Sequence, residues 1–557
     1  MIITQRLSRR FGFCFAMMAL CLLPLIPPTR AQESPEESLL TLHVKEGLEV
    51  SLWASEPLVN NPTSMEIDSL GRVWIAEGLN YRMQQRTFDG LNRIEGADRI
   101  KILTDTDGDG VADQATVFAD NLFPVPLGLA IEEIHVNGRR TGTRVYVGNS
   151  PNLLVLEDTD GDDVADRREV LLTGFRGIDS DHGLHGMTFG PDGRLYFTVG
   201  DARYGADQVQ MREPTFDVTD RSGRRLIASN FGTTLRVNRD GRQLEVLSSG
   251  HRNNYEAAVD SYGNVFGSDN DDDGNRGCRM YWVMDGGQYG YQHPSSRRHW
   301  AEELPGIIPK LVGTGNGAPC GLLVYEGDAL LPDTFGAVLQ IDSGTHQVNL
   351  HPLIRRGAGF RSDYQVLLKG DDSWFRPVDL AVAPDGSLYV CDWYDAGVGG
   401  NRFTDQTTGR VYRIAAKTSA TPVSTQPLTD DLIAALCSPN HPTRLAAHDL
   451  LIERGQTSRT ELLKLLQDGK PHQQARALFV LAELPQTGTG DVVQALQHKE
   501  ARLRETALQI LARDAAAESL VSGGATEDGP GAARFLPQLL PLSVDPDAGV
   551  RRALLMA

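Results

Sequence analysis

A chain of 557 residues is too long for one ordinary hydrophobic core, so more than one domain is expected. Hydrophobic residues at 40% and charged residues at 23% are those of a globular protein. A formal net charge of -19 argues against non-specific nucleic-acid binding and against docking on anionic membranes.

Residues 1–31 read as a signal peptide. Arg6, Arg9 and Arg10 precede an apolar run over 11–26, and Thr29, Arg30 and Ala31 form a small-residue cleavage site. The alternative is an uncleaved anchor, but the run is shorter than the ~20 residues a spanning helix needs. The chain is therefore expected to be exported, to a periplasm or a cell surface. Cys14 and Cys21 leave with this segment. Cys278, Cys320, Cys391 and Cys437 remain where disulfides are allowed, and their pairing is not legible from spacing. No Cys-x-x-Cys-His occurs, so this chain attaches no c-type haem by that motif.

From 44 to 416 nearly every run is a short strand bounded by Gly, Asp, Asn or Pro. One hairpin recurs: an apolar entry, a turn glycine, then an aromatic three residues on. It is seen at Gly71 and Trp74, Gly193 and Tyr196, Gly263 and Phe266, and Gly386 and Tyr389. At about 40–60 residues per blade, this region predicts a six-bladed β-propeller, with a pair of β-sandwiches as the alternative. Residues 417–427 read as a linker. Over 428–557 the period becomes helical, and Ala447, Ala477 and Ala507 fall at equal spacing. A HEAT-like α-solenoid is expected there, cut short before a polar cap.

The centre of the propeller sequence is 181–201, where His182 and His185 stand just before a buried strand. A histidine there is a candidate general base. Two near-identical acidic loops are candidate calcium sites: Asp105, Asp107, Asp109 and Asp113, then Asp158, Asp160, Asp162 and Asp166 with Glu169 at position twelve. In the second loop Asp163 stands where a glycine is usual. The bland alternative is two Asp/Gly-rich turns. Arg252 and Asn253 offer a cationic fork beside an amide, suited to a carboxylate-rich ligand. Asp271 and Asp272 lie in a further acidic turn that suits a cation or a solvated loop. Arg376, just before another strand, is a candidate channel group or a plain surface arginine.

These segments together resemble the soluble quinoprotein glucose/sorbosone dehydrogenases. The likeness rests on residues 182–201, 250–253, 269–273 before Gln288-Tyr289-Gly290, 318–321, and 376–389, in that order. The resemblance implies a six-bladed propeller that binds pyrroloquinoline quinone (PQQ) with Ca2+. It implies His182 as catalytic base, Arg252 and Asn253 as quinone contacts, and Asp271 and Asp272 as carbonyl donors to calcium. The sequence departs from the pattern at Leu184-His185-Gly186, at Asp271-Asp272 and at Cys320. The domain order is similar to that of the exported membrane-bound dehydrogenases of planctomycetes, in which a haem-binding cytochrome c segment follows the helical repeats. That likeness implies an oxidoreductase acting on a sugar or related alcohol, with a downstream cytochrome c segment or partner taking the electrons. A calcium-dependent, lactonase-like propeller hydrolase and a non-catalytic carbohydrate- or protein-binding scaffold stand as alternatives.

Overall fold

The computed structural model describes residues 32–83, 94–203, 206–207, 213–228, 231–270, 277–291, 300–315, 317–397, 406–418, 431–484, 490–521 and 535–557. The signal segment, Asp271, Asp272 and most of the linker lie outside them. Four turn glycines set the blade pattern. Gly71, Gly193, Gly263 and Gly386 have φ of 74°, 64°, 83° and 83°, which an L side chain rarely adopts. Three residues after each, Trp74, Tyr196, Phe266 and Tyr389 are buried. Trp74 Nε1 donates to Asp68 Oδ2 at 3.0 Å, and Tyr196 Oη to Asp192 Oδ2 at 3.1 Å. Each of these two aromatic rings thus packs in the core while its polar atom bonds the acid of its own turn.

Six antiparallel sheets form the blades. Blade 1 holds Pro62–Ile67, Val73–Glu77, Arg99–Thr104 and Gln114–Ala119. Blade 2 holds Leu129–Val136, Arg139–Asn149, Asn152–Asp158 and Arg167–Thr173. Blade 3 holds Leu184–Phe189, Leu195–Val199, Gly232–Val237 and Glu245–His251, with Gly287–Gln288 added in parallel. Blade 4 holds Ala257–Val259, Val265–Asp269, Cys278–Val283 and Val312–Gly315. Blade 5 holds Pro319–Val324, Val338–Asp342, Gln347–His351 and Gln365–Gly370, edged by Leu42–Val44. Blade 6 joins Pro377–Val382, Leu388–Asp392 and Arg410–Ala416 to the early strand Leu48–Ser55. That last pairing closes the ring. The first strands of successive blades adjoin all the way round and so surround the channel. The expected β-propeller of six blades is the fold observed.

Beyond it come helices at Leu432–Leu436, His441–Arg454, Gln456–Asp468, Pro471–Glu483, Gly490–Ala495, Ala501–Val521 and Ala548–Met556. Ala447, Ala477 and Ala507 are fully buried, where small side chains let helices approach closely. The helices dock on the propeller face that carries the turn glycines. Asn440 caps the helix His441–Arg454 by accepting from Thr443 N (2.9 Å), and its Nδ2 donates to the carbonyls of Ile67 and Val382 (both 2.8 Å). Arg476, buried, donates to Ser261 Oγ (2.8 Å), Glu326 Oε2 (2.9 Å) and the carbonyls of Leu436 and Ser438. Pro439, His441 and Arg444 line the lower channel with Glu66, Thr188 and Glu256, around a cavity of about 70 Å3. Among the described residues no helix is long and apolar enough to cross a membrane.

Candidate active site

On the opposite rim, the loops that enter each blade meet the loops that leave each second strand. Several blades fix this junction with one device. A carboxylate ending the second strand accepts backbone N–H groups from the loop entering the first. Glu77 accepts from Asn60 (2.8 Å), Asp342 from Ala318 (2.9 Å) and Asp392 from Arg376 (2.7 Å). Asp269 Oδ1 accepts from both Arg252 and Asn253 (3.0 Å each), and its Oδ2 from Arg279 (2.9 Å). Burial opposes its charge, but His251 and Arg279 hold the Asp269 carboxyl below its usual range. Gly250 begins this loop at φ 81°, packed so tightly that a Cβ there would come 1.4 Å from Gln288 Oε1.

Blade 3 departs from the device. Val199 stands at the equivalent position, and the acid comes two residues later at Asp201. Asp201 bonds a side chain instead: His182 Nδ1 lies 2.6 Å from Asp201 Oδ1, with both residues buried. Asp201 Oδ2 also meets Arg203 Nε at 3.2 Å, and its backbone N–H donates to the Arg252 carbonyl at 2.7 Å. At Gly200 a Cβ would come 2.5 Å from Asn253 Oδ1 and 2.8 Å from the Cα of His182. His182, Asp201, Asn253 and the Arg252 backbone therefore converge at one place on this rim, called the pit below, where the Arg252 guanidinium donates to Asn270 Oδ1 at 3.2 Å.

His185 is placed differently from the expectation that it is a second base. Its ring is fully buried and stacks on Tyr255 with centroids 4.4 Å apart. Nε2 lies 3.0 Å from Asn253 Oδ1 and Nδ1 2.8 Å from Thr198 Oγ1. Burial pushes its pKa down to about 4. A β-bulge at Gly186, with φ 51°, turns the ring into the wall. His185 thus positions the Asn253 side chain through its amide oxygen.

Arg376 lies on the same rim, where its guanidinium donates to the carbonyls of Ser343, Asp395 and Ala396 (3.1, 3.1 and 3.2 Å). It ties blade 5 to blade 6. The acidic loops lie on the other face, between the third and fourth strands of blades 1 and 2. Carboxylate oxygens of Asp105, Asp107 and Asp109 come within 4.8 Å of one another, as do those of Asp158, Asp160 and Asp166. Asp113 and Asp162 fall outside these groups. Asp113 bonds Thr106 and Asp162 bonds the Val164 N–H. Glu169 pairs with Arg221 and does not converge on the loop. Asp163, at φ 65°, salt-bridges Arg72 at 2.6 Å. Among the described residues Cys320, Cys391 and Cys437 are free thiols.

Sequence reading missed two groups: Asp201, and Asp181, which pairs with Arg82 of blade 1 directly beside His182. The acid spacing was a usable signal for the first. Glu77, Asp269 and Asp392 follow their turn glycines by six residues, Asp201 by eight.

Fold and site define a six-bladed propeller with a buried histidine–carboxylate pair and an arginine–asparagine fork in one rim pit. Residues 34–418 match the family model of a domain of unknown function, DUF7133, and the chain belongs to that family. No curated protein sequence matches it. Among solved structures it is similar to an oxidoreductase of Thermus thermophilus described as a glucose dehydrogenase (21% identity, TM-score 0.45, covering 66% of this chain and 99% of that one). It is also similar to the PQQ-bound aldose sugar dehydrogenase of Streptomyces coelicolor (16%, 0.46, 67% and 99%). A third is the PQQ domain of pyranose dehydrogenase from Coprinopsis cinerea (14%, 0.43, 70% and 98%).

Proposed function

We propose that the chain is an exported quinoprotein-type oxidoreductase that oxidises a sugar or related alcohol in the rim pit and passes electrons to a cytochrome c. The observation that carries this reading is the 2.6 Å contact between His182 and Asp201 beside Arg252 and Asn253. The donor chemistry fits PQQ. Arg252 is a cationic fork for a carboxylate, and the Asn253 amide is a donor for a carboxylate or carbonyl. Tyr255, partly exposed, offers a ring face. When bound, PQQ supplies a carbonyl-type two-electron acceptor.

The chain's own residues prepare the alcohol. Asp201 accepts the Nδ1–H of His182 and so fixes the tautomer in which Nε2 is the base. Nε2 takes the hydroxyl proton, and the Asp201 charge stabilises the imidazolium that results. Arg252 and Asn253 orient the acceptor side, held by Asp269. Calcium in the two acidic loops is assigned a structural part, since those loops lie on the face away from the pit.

Titration of the purified protein with PQQ and calcium, followed by absorbance and by dye reduction with aldoses, tests the reading. The His182→Ala protein is expected to keep PQQ and lose rate. An unchanged spectrum, joined with lactone hydrolysis that a chelator abolishes, moves the assignment to a hydrolase. Glycan binding with no turnover of either kind leaves a scaffold.

A further inference from the structure

Asp181 stands in the pit but takes no part in the chemistry above. It precedes His182 on the loop entering blade 3 and forms a salt bridge with Arg82, which reaches across from blade 1. The Arg82 N–H is fixed in turn by Asp179 Oδ1 at 2.6 Å. Both partners are partly exposed, at 17% and 20%. Burial favours the neutral acid, but Arg82, with His182 and Arg252, holds the Asp181 carboxyl well below its usual range. Its negative charge also helps raise the Tyr81 and Tyr255 phenols and the Cys320 thiol, in each case behind the larger effect of burial. Asp181 lies three residues before Leu184 on the loop entering the innermost strand of blade 3, and its ion pair with Arg82 of blade 1 holds it toward the axis.

We propose that Asp181 sets the charge of the substrate: by occupying Arg82 it reserves the space beside that ion pair for an uncharged, hydroxyl-rich molecule and turns away a sugar carrying a carboxylate, while the carboxylates of PQQ fall to Arg252. A ligand carboxylate arriving there has to displace Asp181 from Arg82 or sit beside it, and like charges in a partly dry pocket repel strongly. An uncharged sugar meets no such conflict. Its hydroxyls bond the Asp181 carboxylate, and its C–H face packs on Tyr255. This inference rests on the sugar-binding part of the proposed function and is independent of electron transfer.

The test is calorimetric titration of the full chain with glucose and with glucuronate, alone and after loading with PQQ and calcium. Wild type is expected to bind glucuronate at least ~10-fold more weakly than glucose. Asp181→Asn is expected to tighten glucuronate ~10-fold or more and to change glucose less than about threefold. Adding Arg82→Gln to that variant should abolish the gain. Asp181→Ser is the second variant if the asparagine protein does not fold. Equal binding of both sugars to wild type, an unchanged preference in the variants, or no binding of either sugar to any form overturns the proposal. A failure of PQQ-dependent dye reduction with these binding results intact counts against the redox reading alone.

Discussion

Asp201 holds His182 Nδ1 at 2.6 Å from a position two residues beyond the point at which blades 1, 4 and 6 place their loop-anchoring acid. Residues i and i+2 of an extended chain share a side, so the shift moves a carboxylate outward to the pit without turning it over. Blade 3 gives up a structural anchor and gains a group that can orient a base.

Asp201→Asn reverses that gain. The amide cannot balance an imidazolium, and it favours the tautomer with the proton on the wrong nitrogen. The kcat for aldose oxidation by the PQQ-loaded protein is expected to fall about 10²- to 10⁴-fold, with KM changed less than about threefold. Steady-state kinetics check this. A rate within threefold of wild type removes His182 from the role of base.

His185 predicts a pH effect on stability. Its folded-state pKa is about 4, against 6.5 for an unperturbed ring. The unfolded chain therefore takes up this proton first as the medium is acidified. The stability due to the neutral buried ring is complete above pH 6.5 and is lost as pH falls from 6.5 towards 4. The loss amounts to about 3 kcal/mol. His185→Gln can keep bonds to Asn253 and Thr198 without titrating. Relative to that variant, wild type is expected to lose about this much between pH 7 and pH 4 in urea-unfolding curves. Parallel pH profiles show that the ring is not the titrating group.

Much of the propeller is written locally, and that is why it can be read from the chain. The glycine and the aromatic three residues later both act within one hairpin, so each copy announces its own blade. The same holds for Ala447, Ala477 and Ala507, whose spacing follows from helix packing. His185 is different. Its proximity to His182 suggests a shared pit, but the bulge at Gly186 separates them, and that glycine is needed because a Cβ would meet the Tyr255 carbonyl at 2.3 Å. Asp181 depends on Arg82, which lies 99 positions away in sequence and on another blade. Only the closed ring brings the two together. The docking of the helices under the channel has the same cause: Arg476 and Glu326 lie 150 positions apart.

The two acidic loops predict a thermal response to calcium. In each, three carboxylates already lie close enough to share one hard cation. Millimolar calcium is expected to raise the melting temperature by several degrees and a chelator to lower it. Asp105→Asn with Asp158→Asn should erase the response while leaving PQQ affinity within about threefold, because the loops face away from the pit. Scanning calorimetry with and without chelator measures this. An unchanged melting temperature reduces the loops to acidic turns.

Arg476 and Glu326 predict that the helical segment is an integral part of the propeller's stability. Both side chains are nearly inaccessible, at 3% and 4%, and meet at 2.9 Å. Burial opposes the charge of Glu326, but Arg476 and Arg444, with Ser261, pull its pKa down to about 2. Removing one partner leaves the other buried and uncompensated, which costs about 3–5 kcal/mol. Arg476→Met is therefore expected to lower the stability of the whole chain by about that amount. The same substitution made in a Glu326→Gln background should cost clearly less, since the stranded charge is gone. A double-mutant cycle in denaturant reads the coupling. If the two losses simply add, the pair carries no coupling, and the helices are held by packing and by the Asn440 bonds instead.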